Sequence, residues 1–284
     1  MRDYFCGWYF KCQSDTQTLA IIPAFHKSGD KRSYSIQLIT DTGAWHIDFP
    51  DQQFHQKHLP VRIGENYFSP KGIRLHLDTP ACSAVGSLRF SSIAPIRYDI
   101  MGPFQYLPFL ECRHSVVSMQ HRVNGALRIN GMTYRFRNDD GYIEGDRGYS
   151  FPKRYAWTHS FFDGGSLMLS VADIPLGPVC FTGVIGVIHW QGKEYRLATY
   201  LGGKAVRIQN GEIVIRQGDM VFSANLIEKR SHPLRAPVNG NMRRIIHESA
   251  ACRAAYSLRQ NGRTLFTFET SKASFEYEYK STMK

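Results

Sequence analysis

The chain has 284 residues, 43% of them hydrophobic and 21% charged, enough for a large core and too apolar for a disordered chain. Its net charge of +11 would suit an anionic partner. The lysines and arginines are scattered, though, and basic helices and aromatic–glycine RNA-binding signatures are absent, so nucleic acid is not expected as a partner. An anionic membrane surface remains as a peripheral partner.

Taken in order, the elements are nearly all strands. "GWYFKCQ", "TLAIIPAF", "YSIQLIT", "AWHIDF", "IRLHLDT" and "GSLRFSSI" come first. "GALRINGMTYRF" follows, with Leu127, Ile129, Met132, Tyr134 and Phe136 alternating around Asn130-Gly131. Asn-Gly at the centre of an alternating run marks a two-residue hairpin. "GVIHWQGKEYRLATY" turns at Gln191-Gly192, and "VRIQNGEIVIRQG" at Asn210-Gly211, with Val206, Ile208, Ile213 and Ile215 as its apolar side. "AACRAAYSLRQ" has some helical character, but it runs into a hairpin at Asn261-Gly262 and reads as a strand. Pro175 and Pro178 read as a break, and "SHPLRAPVNGNMRRIIHESA" reads as a loop because of Pro233, Pro237 and Gly240. So many short antiparallel strands predict an all-β chain. One up-and-down barrel of lipocalin size would use about half of it, so two consecutive antiparallel β-barrels fit best. The boundary is expected near Ser150–Pro152, giving domains 1–150 and 151–284.

Six cysteines without a C-x-x-C pair, no signal-peptide pattern and no long apolar run predict a cytoplasmic protein with reduced thiols. Oligomeric state is not readable from the residues.

Four groups of residues bear chemistry. Glu144 and Asp146 point to one face of a strand, where close carboxylates raise each other's proton affinity, as a general acid requires. The other reading is a solvated face paired with Arg147 or Lys153, and spacing alone favours it. Tyr155, Trp157 and His159 also share a strand face, as a pocket wall or as ordinary core. In "MGPFQYLPFLECRHSVVSMQHRVNG", Glu111 and His114 are candidates for proton donation or hydrogen bonding to a ligand. The seven-residue spacing of His114 and His121 matches no metal motif, and an odd offset puts them on opposite faces of a continuous strand, so no metal is expected. His232, Arg235 and Glu248 are polar groups available at a barrel mouth, with a plain connecting loop the favoured reading. The sequence has no G-x-S-x-G, Walker, H-E-x-x-H or Rossmann pattern, which points away from the commonest hydrolase, nucleotide and zinc-protease chemistries and leaves acid–base catalysis without a cofactor.

The block Glu144, Gly148, Phe151-Pro152, Tyr155-x-Trp157 resembles one in tocopherol cyclase and its bacterial relatives. "MGPF", "ECRHSVVSMQHRVNGAL", "SVADIPL", "ATYLGG" and "LRAPVNGNMRRIIHES" extend the likeness over most of the chain from about residue 100, and "GWYFKCQ" fits the family's opening strand. The resemblance implies two lipocalin-like β-barrels, shared with carotenoid hydratases. It also implies cyclisation of a prenylated quinol, an intramolecular lyase or isomerase reaction in which an acid protonates an alkene and the phenol closes the ring. On this reading Asp146 or Glu144 is the donor, and Tyr155 and Trp157 line an apolar pocket and stabilise carbocation charge. His159, Glu111 and His114 orient the ligand or the acid. The chain departs from the plant-type pattern at Arg147, where a Trp is usual, and at His159 and Phe161, in place of Gln and Asn. The alternative is a non-catalytic carrier for a hydrophobic metabolite.

Overall fold

The computed structural model describes residues 3–50 and 58–279. Its first sheet contains β1 (Tyr4–Gln13), β2 (Thr18–Ser28), β3 (Lys31–Thr40), β4 (Ala44–Pro50), β5 (Val61–Ile63), β6 (Asn66–Ser69), β7 (Gly72–Asp78), β8 (Ser83–Phe90), β9 (Cys112–Ile129) and β10 (Met132–Gly148). The order is β4-β3-β2-β1-β10-β9-β8-β7-β6-β5. The second contains β11 (Tyr155–Phe162), β12 (Gly165–Leu176), β13 (Val179–Trp190), β14 (Lys193–Ala198), β15 (Lys204–Gln209), β16 (Glu212–Gln217), β17 (Met220–Glu228), β18 (His232–Val238), β19 (Asn241–Gln260) and β20 (Arg263–Tyr277). Its order is β14-β13-β12-β11-β20-β19-β17-β16-β15, with β18 on β19. The chain is all-β, two consecutive lipocalin-like antiparallel barrels. In both sheets the first strand pairs with the last, β1 with β10 and β11 with β20. Among the described residues no helix is long and apolar enough to cross a membrane, which says nothing about strands.

The chain clusters into two compact units. Unit 1 is 1–97, 111–151 and 234–245; unit 2 is 98–110, 152–233 and 246–284. Residues 98–110 thus group with the second barrel and 234–245 with the first.

The hairpin turns have the backbone that their sequences require. Asn130, Gln191, Asn210 and Asn261 have φ of 48°, 49°, 51° and 51°, each followed by a glycine also at positive φ. Two positive-φ residues in a row make the type I′ turn that matches strand twist. Alternation then fills the cores. In unit 1, Trp8, Phe10, Ile21, Leu38, Phe68, Leu127, Phe136 and Ile143 belong to one buried cluster. In unit 2, Ala156, Leu169, Val184, Ile213, Phe222, Tyr256 and Phe275 do the same.

Several expectations change. Val206 is 52% exposed, because a bulge between Ala205 and Arg207 shifts the register and Ala205 packs on the core instead. Met132, at its hairpin tip, is exposed. Pro175 lies within β12 opposite Cys180, so the expected break is a hairpin turning at Gly177-Pro178. The stretch read as a loop is mostly strand, with Pro233 and Pro237 inside β18 and Glu248 inside β19.

Candidate functional site

Alternation along β10 puts Ile143 into the apolar core of unit 1 and Tyr142, Glu144 and Asp146 on the opposite face. The acids therefore lie outside the barrel's apolar interior. Asp146 stands directly across from His114 of β9, close enough for the side chains to meet. His114 Nδ1 lies 2.9 Å from Asp146 Oδ1, and its Nε2 makes an ion-pair approach to Glu144 Oε2 at 3.1 Å. The Tyr142 hydroxyl donates to the same Glu144 oxygen at 2.5 Å, and the Cys112 thiol to Asp146 Oδ1 at 3.5 Å. The cation between the two acids is thus an imidazole.

Burial sets the electrostatics. Tyr142 is fully buried, and Glu144 and His114 nearly so, while the Asp146 side chain is 26% exposed. Burial alone would lower the proton affinity of His114, but the charges of Glu144 and Asp146 and their hydrogen bonds outweigh it and hold it well above the ordinary imidazole value. Burial and the Glu144 charge push the Tyr142 phenol well above its usual range, so it stays a donor. Burial and the Asp146 charge do the same to the Cys112 thiol.

The glycine two residues past Asp146 also has a structural reason. A Cβ on Gly148 would collide with the Glu111 carbonyl oxygen, which accepts the Tyr149 amide at 2.9 Å. Glu111 thus anchors the end of β10 through its backbone, and its carboxylate adds to the negative field at Cys112.

Tyr155, Trp157 and His159 belong to unit 2. In β11, Ala156 joins the core cluster, and Thr158 lies 2.6 Å from the Tyr256 hydroxyl. Tyr155, Trp157 and His159 occupy the other face and are buried too. The Tyr155 hydroxyl donates to Glu276 Oε2 at 2.5 Å, and the His159 ring meets Phe161 edge-on at 4.7 Å. Glu276 stands across from Trp157 on one side and Glu248 on the other.

The structure therefore brings His114, Glu144 and Asp146 together and adds Tyr142 and Cys112, which the sequence reading passed over. Tyr142 was within reach of it, two residues before Glu144 and hence on its face. Glu276 was not, because its place depends on the β11–β20 register. His114 also shares a donor set with the acids: one nitrogen and one oxygen from each carboxylate lie within 4.8 Å of one another, a spacing open to a cation.

No family model matches the sequence, and no curated protein matches it significantly. Among solved structures, the chain is similar to CghA crystallised with Sch210972, with a TM-score of 0.61 and 9% identity over 97% of this chain and 88% of that one. It is also similar to kievitone hydratase from Nectria haematococca, with a TM-score of 0.58 and 8% identity over 96% and 88%. At such identities the fold is what is shared.

Proposed function

We propose that this chain is a tocopherol-cyclase-like enzyme that needs no cofactor, binds an apolar isoprenoid or aromatic molecule and closes a ring in it by proton transfer. The observation that carries this reading is the buried imidazole set between two carboxylates, one of them also holding a tyrosine hydroxyl. Such a cluster raises the proton affinity of the imidazole well above its ordinary value next to a partly exposed acid.

In the proposed reaction the proton on His114 Nδ1 passes to Asp146, which delivers it to one carbon of the alkene. The other alkene carbon becomes a tertiary cation. The phenol oxygen of the substrate attacks that cation, forming the new C–O bond, and its proton returns to the cluster. Substrate and product have the same atoms, so the reaction is an isomerisation. Glu144, held by Tyr142, stands beside the imidazole that gives up the proton and takes it back when the ring has closed. Glu111, whose charge reaches Cys112 beside Asp146, is proposed to help orient the acid. The name of one structural neighbour, kievitone hydratase, agrees in kind with this reading.

The test is the double change Glu144→Gln and Asp146→Asn, assayed with a prenylated hydroquinone. Turnover should fall by about 10²–10⁴ while binding, followed by protein fluorescence, persists. Unchanged turnover would mean that the acid lies elsewhere. If the unmodified protein binds such molecules yet cyclises none of them, it is a carrier.

A further inference from the structure

Residues 98–110 form an uncharged arm on unit 2 from Ile100 onward, and its docking is built in detail. The Arg196 guanidinium donates to the Tyr98 carbonyl at 2.5 Å and to the Asp99 carbonyl at 3.3 Å, and it lies 3.5 Å over the Tyr98 ring. The Tyr200 hydroxyl donates to the Ile100 carbonyl at 3.0 Å. Gly102, at φ +51°, lies against the Tyr200 ring, where a Cβ would come within 2.6 Å. The Phe104 ring sits 6.4 Å from Phe181 and 5.8 Å from Tyr200. Three tips therefore converge around Phe104: the arm, the β12–β13 hairpin and the turn at Thr199–Leu201.

What these tips present to solvent is apolar. Tyr106 is 79% exposed, Val179 63%, Phe109 46%, Leu201 45% and Leu176 38%. No Asp, Glu, Lys or Arg occurs in 100–110, 174–181 or 199–203. Clustered exposed apolar side chains mark a binding surface. Directly after the third tip, Lys204 and Arg216 are both exposed and stand opposite each other across β15 and β16. Like charges placed so repel, and an anionic surface relieves that repulsion.

We infer that this surface of unit 2 docks on an anionic lipid bilayer, with Tyr106, Phe109 and Val179 entering the headgroup region and Lys204 and Arg216 meeting lipid phosphates. Protruding aromatic, proline and aliphatic tips with flanking cations suit an interface between water and lipid. A second copy of the chain would call for a broad self-complementary face, which tips do not provide. The net charge of +11 adds long-range attraction to the same surface. Docking would give the enzyme proposed above access to membrane-dissolved substrate, yet it rests on separate residues and is measured without turnover.

Cys180, the exposed cysteine beside Val179, takes an environment-sensitive fluorophore. Vesicles of phosphatidylcholine with about 30% phosphatidylglycerol should shift its emission to the blue and carry the protein upward in a flotation gradient. Pure phosphatidylcholine should do so more weakly. Tyr106→Ser with Val179→Ser should weaken binding at least about tenfold at an unchanged melting temperature, since both side chains are exposed. Lys204→Gln with Arg216→Gln should weaken binding and flatten its salt dependence. The inference is overturned if the protein ignores anionic vesicles at low salt, or if it binds them equally without Tyr106 and Val179. A dimer in sedimentation equilibrium that dissolves in the Tyr106→Ser, Val179→Ser variant would assign the patch to a second copy instead.

Discussion

Each sheet carries a tyrosine hydroxyl that donates to a buried glutamate at 2.5 Å, and the two pairs are built in different ways. Tyr142 and Glu144 are two residues apart on one strand. Tyr155 and Glu276 are 121 residues apart and meet because β11 lies beside β20. The first pair is a product of strand periodicity and the second of topology. They also differ in company. Glu144 faces an imidazole that a second carboxylate also holds, whereas Glu276 stands across from Trp157 on one side and Glu248 on the other. The lesson is that the same short hydrogen bond can serve a proton-holding cluster or a strand pairing, and the neighbours decide which.

Four experiments would break or sharpen that contrast. The largest effect is expected on catalysis: His114→Gln should lower turnover about 10²–10³-fold, and Glu276→Gln only a few-fold. Equal losses would make the two pairs functionally alike. Next comes stability. Removing His114 leaves two carboxylates without the cation between them, and urea unfolding near pH 6 should show a loss of about 3–5 kcal/mol. His114 has a raised proton affinity, so its contribution is complete below pH 6.5 and disappears as pH rises through the raised value. The gap between the unmodified protein and His114→Gln should therefore narrow in alkaline buffer.

The third effect has the opposite sign, also in unit 1. Burial pushes His26 and His121 down to about 4. Both are held neutral when folded, so stability present above pH 6.5 should be lost as pH falls toward 4, by roughly 3 kcal/mol per histidine. Thermal melts of His26→Gln and His121→Gln should show a shallower acid slope. The smallest effect separates the pairs most directly: Tyr142→Phe and Tyr155→Phe should each cost about 1.5–3 kcal/mol in unfolding free energy, but only Tyr142→Phe should also change the pH profile of turnover.

The fold was legible because its signals are local. Asn130-Gly131 and its three counterparts need nothing beyond their flanking alternation to define a hairpin, and the apolar sides of most of these hairpins are where alternation put them. Val206 escaped because a bulge is a register event, and two prolines hid β18 because a proline in a strand reads as a break. The site was legible only in part. Glu144 and Asp146 declare themselves by spacing, but spacing favoured solvent, and burial depends on packing no single strand reveals. His114 drew notice as a histidine, while its place opposite Asp146 required the β9–β10 register. That register shifts between Gly141 and Glu144, which is why parity arguments about His121 do not carry across it.

Pairing of first strand with last has a kinetic consequence. Phe5 ends up beside Gly148, so one edge of β1 stays open until β10 has left the ribosome. The same wait recurs for β11, whose Ala156 pairs with Tyr277 close to the end of the chain. Contacts this distant in sequence slow folding and leave an aromatic-rich edge available to other chains in the meantime. The ends of each barrel also lie side by side within the sheet. New termini could be cut at a hairpin such as Asn130-Gly131 and the old ones joined, and such a permutant of the first barrel would bring β1 and β10 together as neighbours in sequence, turning its slowest pairing into a local one.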